Sequence, residues 1–563
     1  MKRLLYLFFF ILTAFCAAAQ DTTKVVHILP GTERQRVETL PDGTQLQILA
    51  GNVGVRQDRT LFYCDSLVVN SLTKILEAFG NVRIIDDTTR INAEYLRYHT
   101  DTRFAVLQRN VRLTDGRNRV TTNELEYDVA TKIATYKNGG RVQAGKSVIT
   151  SEEGTYYSDT KDIFFKRNVE MRDPSTYLKT DSIFYNTETR LARMITDTYI
   201  RDSSGRVIRT KEGNYSVATR SATFTQRTSI EDKCLRVVGD RIASDDATGI
   251  VQIEGLAVLI DSCQGVNILA DRIFANKKTG AYLATKKPLM IIRQDKDSIF
   301  VAADTLFSAR LSDLVRSAAI RRQDSLVAGA IPSDTTKIDS AALVKAPVVT
   351  PPARVKPGAK TKAPPRAPAI DPARDSSNRY FEAYRNVRIY SDSLQAVGDS
   401  MFYSFRDSVF RLFQNPVVWN KKNQVTGDTI YLFTRNKKAD RIRVFNNSFV
   451  ASEVQPGIYN QIKSTRLDGY FREGTIDSLR CKGFAETVYF LQDNDSAFTG
   501  INQTSADLMD VFFMKGELQR VVYRSNVEGT VWPIRQKRPE EMLLSGFGWY
   551  DKRRPKSKYD LFQ

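Results

Sequence analysis

The sequence predicts an all-β protein, an elongated stack of antiparallel strand pairs, and three observations predict it. A 29-residue period holds its register for five units, placing Asp65, Glu94, Asn123, Glu152 and Asp181 in one column. Each period contains two turns. Between the turns, apolar residues alternate with polar ones. A fixed period of this length means one supersecondary unit stacked on copies of itself.

The unit Gly80 to Arg109 illustrates the elements in order. Asn81-Val-Arg-Ile-Ile85 alternates and is β-branched, and Asp86-Asp-Thr-Thr89 has turn chemistry. Arg90-Ile-Asn-Ala-Glu-Tyr-Leu-Arg-Tyr98 alternates again before a second turn at Thr100-Asp-Thr102. Arg103 to Arg109 then runs into the next unit. Two turns and two strands of about 10–12 residues make a meander, whereas a parallel β-helix needs three shorter strands per coil. Gly51-Asn52, Gly80-Asn81, Arg109-Asn110 and Arg167-Asn168 stand in mid-strand. Gly marks a bend and Asn tolerates unusual dihedrals, so a kink at one height of every unit folds the sheet into a V-shaped trough.

The side-chain period of a strand is two, which fixes the faces. Val53, Val55, Leu67, Val82, Ile84, Leu96, Tyr98, Val111, Leu113, Leu125, Tyr127, Val169, Met171 and Ile183 share one face and are the expected apolar groove. Arg83, Arg97, Arg112 and Glu126 fall on the other. The turns carry a Thr column (Thr73, Thr102, Thr131, Thr160, Thr189). A basic column follows it: Lys74, Arg103, Lys132, Lys161 and Arg190. That column lies along one rim, where two readings stay open: contact with anionic headgroups, or a solvated turn. The acidic column is expected to form cross-strand pairs or cap turns.

After residue 190 the spacing loosens. Markers recur at Asp240/Ile242, Asp271/Ile273, Asp304/Leu306, Asp399/Met401, Asp428/Ile430, Asp468/Tyr470 and Asp507/Met509. The expected organisation is a signal peptide at 1–19, an N-terminal array at 20–318, a Pro-rich disordered linker at 319–378, a C-terminal array at 379–534 and a basic tail at 535–563. Lys2 and Arg3, the apolar run Leu4 to Phe15 and Ala17-Ala18-Ala19 carry the signal-peptide reading. Phe15 fits poorly before a lipidated Cys16. The linker rests on its Pro, Lys and Ala content.

The formal net charge of +19 suggests an anionic partner. Export argues against nucleic acid. Cys64, Cys234, Cys263 and Cys481 are too few for a disulfide scaffold. Cys234 and Cys263 are one period apart, which puts equivalent strand positions about 9.5 Å apart, beyond the ~7 Å reach of a bridge. Four unpaired cysteines are therefore expected. His27 and His99 are the only histidines, and no metal-ligand spacing, Gly-x-Ser-x-Gly or phosphate-binding loop occurs. The chain reads as a non-enzyme with no cofactor and no metal.

The run Gly80-Asn-Val-Arg-Ile-Ile-Asp86, with Thr-Arg-Ile-Asn-Ala-Glu-Tyr-Leu-Arg-Tyr98 after it, resembles the OstA-like proteins. That family includes the periplasmic lipopolysaccharide transport protein A and the N-terminal domain of transport protein D. The same pattern stands at Gly51 to Val69 and Arg109 to Tyr127, and more weakly as far as Tyr185. The resemblance implies a V-shaped antiparallel β-jelly-roll, or β-taco, in the periplasm, possessing an interior for the acyl chains of lipopolysaccharide or another acylated glycolipid. It also implies like-folded transport partners joined by edge-strand pairing. Greater length and the Pro-rich break depart from the family, and no long barrel segment is present to suggest the outer-membrane translocon. The alternative is a repetitive exported surface, adhesion or polysaccharide-binding β-solenoid.

Overall fold

The computed structural model describes residues 25–116, 118–293, 298–314, 378–435, 438–473, 475–493, 497–514 and 517–562. The expected signal peptide and all of the expected linker but Asn378 lie outside them. The chain divides into two compact units, Met1–Leu259 and Ile260–Gln563. Both are built from antiparallel strands, as the alternation predicts.

In the first unit, consecutive strands pair as a meander: Gln45–Gln57 with Thr60–Asn70, Thr60–Asn70 with Ile75–Asp86, and so on through Asn118–Asp128. Consecutive antiparallel pairing is not the winding of a parallel β-solenoid. Each register breaks once in mid-strand, where two residues oppose one, as between Phe79/Val82 and Tyr95/Ala93. The two bulged residues are both left-handed: Gly51 and Asn52 (φ 82 and 46), Gly80 and Asn81 (71 and 43), Arg109 and Asn110 (64 and 53), Arg167 and Asn168 (61 and 51).

Carboxylates hold these kinks, and Asp65, Glu94 and Glu152 of the acidic column are among them. The Asn52 amide donates to Glu33 Oε1 (3.0 Å) and the Asn81 amide to Asp65 Oδ2 (2.9 Å). Asn110 donates to Glu94, and Asn168 to Glu152 Oε1 (2.5 Å). The acidic residue's own N–H binds the first kink carbonyl, Glu33 to Gly51 and Glu152 to Arg167. The corner recurs in the second unit as Asn386 on Asp304, Asn447 on Asp428 and Asn526 on Asp507. Asp468 is not one of the series. The kink at Gly483-Phe484 faces Thr465, so the inward residue there is the buried Leu467, and Tyr470 is exposed. Asp468 instead bonds Arg443 (2.6 Å) on an arginine–aspartate ladder.

Each kink divides its strand into two arms, each arm a hydrogen-bonded ladder of its own. Between Asp128 and Asp162 the two arms are separate segments: Ile133–Tyr136 pairs with Glu153–Tyr157, while Gly140–Ala144 pairs with Ser147–Ser151. Gly154 interrupts the Leu column because the Tyr136 ring fills its space, 2.4 Å from where a Cβ would stand.

Cys234 and Cys263 are disulfide-bonded, which corrects the expectation of four unpaired cysteines. Both lie in turns, Cys234 after Asp232 and Cys263 after Asp261, and not within strands. Cys64 and Cys481 are free and buried.

In the second unit, Thr305–Arg310 pairs with Arg379–Tyr390, so the strands flanking the Pro-rich segment are direct neighbours. The basic tail packs on the sheet in 3-10 turns. Met542 and Leu544 join Phe449, Val488, Phe490 and Ile501, and Leu561 joins Leu289 and Ala302. Three buried glutamines pin it: Gln461 to Met542 O and Leu544 N–H, Gln424 to Gly548 O and Tyr550 N–H, Gln395 to the Arg554 guanidinium.

Gly80→Ala should lower stability by about 1–3 kcal/mol, since a Cβ at φ 71 meets Asp65 Oδ2 at 2.3 Å. Arg109→Ala, at a kink position that already carries a side chain, should stay within about 0.5 kcal/mol. Urea midpoints of the two variants check this; equal losses would contradict the kink geometry.

Candidate functional site

The residues of the expected groove are brought together as the interior of the first unit. All fourteen, from Val53 to Ile183, are at most 2% exposed. The apolar faces of the two arms therefore cover one another. Arg83, Arg97 and Arg112 face outwards and are exposed, as the alternation requires.

One arm ends in the turns of the basic column, and the other in turns that follow Gln57, Asp86, Asp115, Ala144, Asp173 and Asp202. These two edges meet. The Tyr98 hydroxyl donates to Gln57 Oε1 (2.5 Å), Tyr127 to Asp86 Oδ2 (2.8 Å) and Tyr156 to Asp115 Oδ2 (2.7 Å), each across 41 residues. Outside this row lie ion pairs: Arg103 with Asp58 (3.4 Å), Lys132 with Asp87 (3.8 Å), Lys161 with Asp115 (2.5 Å) and Arg190 with Asp173 (2.7 Å). Further along, Arg206 makes a two-pronged bond to Asp246 (3.0 and 3.1 Å). The mouth of the V is laced shut by polar groups.

The basic column has a local reason as well. Lys74, Arg103, Lys132, Lys161 and Arg190 all take the left-handed position that ends their turn, with φ between 56 and 62. Their carbonyls extend the ladder by accepting N–H groups from the next turn, as Lys74 does from Thr100 and Lys161 from Thr187. Lys74 makes no ion pair among the described residues. Arg103, Lys161 and Arg190 face carboxylates of the opposite edge, and Lys132 lies between Asp87 of that edge (3.8 Å) and Asp159 of its own (3.3 Å).

Electrostatics favour the closed edge. Burial raises the Asp115 carboxyl, but hydrogen bonds from Lys161, Tyr156 and Thr88 outweigh it and hold the group below its ordinary range. Burial likewise raises Asp173, and the Ser175 N–H, the Ser147 and Ser175 hydroxyls and the Arg190 charge more than reverse it. Burial first, and the partner carboxylates second, push the Tyr127 and Tyr156 hydroxyls well above the usual phenol value.

One rung is missing. Read at the 29-residue period, the acceptor column runs Gln57, Asp86, Asp115, Ala144, Asp173, and Ala144 has nothing to accept with. The tyrosine 41 residues beyond Ala144 is Tyr185, 1% exposed, and its hydroxyl is buried with no hydrogen-bond partner. The period that located the groove would also have located these acceptors, had it been read from Gln57.

In the second unit, a cavity of about 30 Å³ lies between the arms, lined by Ile299, Ile389, Leu394, Ala396, Phe410, Leu412 and Leu432, with Ser391, Ser393 and Thr434 among its polar residues.

Residues 26–181 and 165–240 match the model of the family described as OstA-like protein, all within the first unit. No curated protein matches the chain. Among solved structures, a match is LptH of Pseudomonas aeruginosa, described as the LptA-homologous periplasmic component of the conserved lipopolysaccharide transport device. It is 14% identical over 20% of this chain and 82% of its own, with a TM-score of 0.18, a likeness too weak to carry an argument.

Asp115→Asn should cost about 2–4 kcal/mol near neutral pH, because Lys161 loses its counter-charge and one of the two oxygens serving Thr88, Tyr156 and Lys161 becomes a donor. A carboxyl lowered in the fold contributes stability that is present above its unfolded value near 4 and is lost as pH falls through the folded value. The gap between wild type and variant in urea unfolding should thus shrink below about pH 4; a constant gap would contradict the pairing. Separately, Tyr127→Phe should cost about 1–2 kcal/mol, whereas Tyr185→Phe should be neutral or stabilising, because only Tyr127 has a partner to lose. Melting curves of the two variants give the comparison.

Proposed function

We propose that this chain, whose N-terminal repeats belong to the OstA-like family, is an exported carrier of acylated glycolipid. It holds acyl chains between its two arms and passes lipopolysaccharide, or a lipid like it, across the periplasm to the outer membrane. The observation that carries this reading is the arrangement of the arms. They are separate ladders joined through kinks, so parting them breaks no strand pairing. It breaks only apolar contacts and the laced edge.

Acyl chains between the arms would replace the contacts that the arms make with each other. Each buried methylene contributes roughly 0.8 kcal/mol, without direction, which suits a ligand that slides. The disulfide-bonded Cys234 and Cys263 fit an oxidising compartment such as the periplasm. The apolar interior favours lipid over the alternative of polysaccharide, whose binders line their grooves with polar and aromatic groups.

The partners would be like-folded proteins joined edge to edge. In the first unit, Arg34–Thr39 and His27–Ile28 pair with Gln45–Gln57 and, among the described residues, with nothing on their other side. In the second, Glu517–Arg524 and Glu528–Pro533 pair, among the described residues, only with Phe498–Met514. Such rows of free N–H and C=O groups are templates for strand addition.

Photo-reactive residues placed at Leu96 or Leu125 should crosslink to lipopolysaccharide in cells, and native mass spectrometry of the purified protein should find co-bound lipid. Absence of both would sink the carrier reading.

A further inference from the structure

The missing rung at Ala144 lies in a laced edge that is otherwise continuous from Gln57 to Asp173. Its neighbours are intact: Lys161 and Tyr156 hold Asp115 on one side, and Arg190 holds Asp173 on the other. Between them the acidic-edge turn reads Ala144-Gly145-Lys146-Ser147, where the preceding ones have Gln57-Asp58, Asp86-Asp87 and Asp115. An acceptor is replaced by a methyl group, and the exposed Lys146 follows two residues on, as Arg59 and Arg117 follow Gln57 and Asp115.

Tyr185 supplies the second observation. Tyr98, Tyr127 and Tyr156 send their hydroxyls across to Gln57, Asp86 and Asp115, and Tyr185 continues that column towards Ala144. A buried hydroxyl without a partner destabilises a fold, so an unsatisfied donor is kept here at some expense. A buried donor left without a partner, in the rung whose acceptor is missing, is the complement of an anion.

We propose that this gap seats a phosphate or carboxylate group of the bound amphiphile, with the Tyr185 hydroxyl donating to it and Lys146 neutralising it. The inference rests on the carrier reading for the identity of the ligand, and on the ladder alone for the existence of the seat. The anion takes the place that a side-chain carboxylate has in the neighbouring rungs. Acyl chains attached to it would lie among the apolar residues directly behind the edge.

The test uses the full chain and its Ala144→Asp variant, which restores the rung, with bisphosphorylated lipid A, a neutral monoacylglycerol and inorganic phosphate as probes. Ala144→Asp should raise the melting temperature and weaken lipid A binding about tenfold, with monoacylglycerol binding unchanged. Lys146→Gln, a change at an exposed turn, should weaken lipid A binding roughly threefold. A variant that is stabilised yet binds lipid A as wild type does would overturn the proposal, as would an equal loss for the neutral lipid. If inorganic phosphate raises the melting temperature of wild type but not of Ala144→Asp while no lipid binds, the seat stands and the carrier reading fails. If inorganic phosphate binds as tightly as lipid A, the seat serves a free anion and the assignment to a lipid is wrong.

Discussion

A left-handed dipeptide facing a carboxylate is the constraint on which the rest of this structure depends. Two consecutive residues with positive φ cannot continue a strand, and most side chains resist that conformation. The Asn amide and the acidic residue opposite it make the conformation reproducible, at Asp65, Glu94, Glu152, Asp304, Asp428 and Asp507 alike. Because the kink recurs at one height, every strand bends at the same place and the sheet acquires two arms. The inward faces of the arms then meet, and the apolar columns become an interior.

Closing the arms brings two rows of turns together, and the composition of those rows decides how the edge behaves. Tyr98, Tyr127 and Tyr156 bury most of their rings and satisfy their hydroxyls on the other edge. The cations outside them are partly exposed, with Lys161 at 28% and Arg190 at 36% of the side chain. Such pairs are worth less than buried ones and are weakened by salt. The edge is therefore closed by interactions that an anionic amphiphile is able to replace, while the kinks and the ladders remain intact.

Much of this was legible in the sequence. The period, the two turns, the kinks at Gly-Asn and Arg-Asn, and the inward columns all rest on local rules of strand and turn chemistry, and those rules act in every unit. Contacts across the mouth were not legible in the same way, because a 41-residue separation reflects how the arms fold together rather than any local propensity. From sequence the basic column reads as facing a ligand or solvent, and the carboxylates set against Arg103, Lys132, Lys161 and Arg190 are not visible there. Late in the chain, Asp468 passed for a kink residue because an acidic residue two before an apolar one is a short pattern. Its role in the kink falls to Thr465, which has no carboxylate. Gln395, Gln424 and Gln461 gave no signal either, since their partners lie over 80 residues away in the tail.

The central claim is that the two arms part along the laced edge, hinged at the kinks, when lipid enters. Spin labels at the exposed turn residues Arg59 and Asp101, on opposite edges beside the Asp58–Arg103 pair, measure this directly by pulsed dipolar spectroscopy. The account predicts one short, narrow distance in the lipid-free protein and a longer or broader distribution once lipid A is bound. An unchanged distribution with lipid demonstrably bound would contradict it.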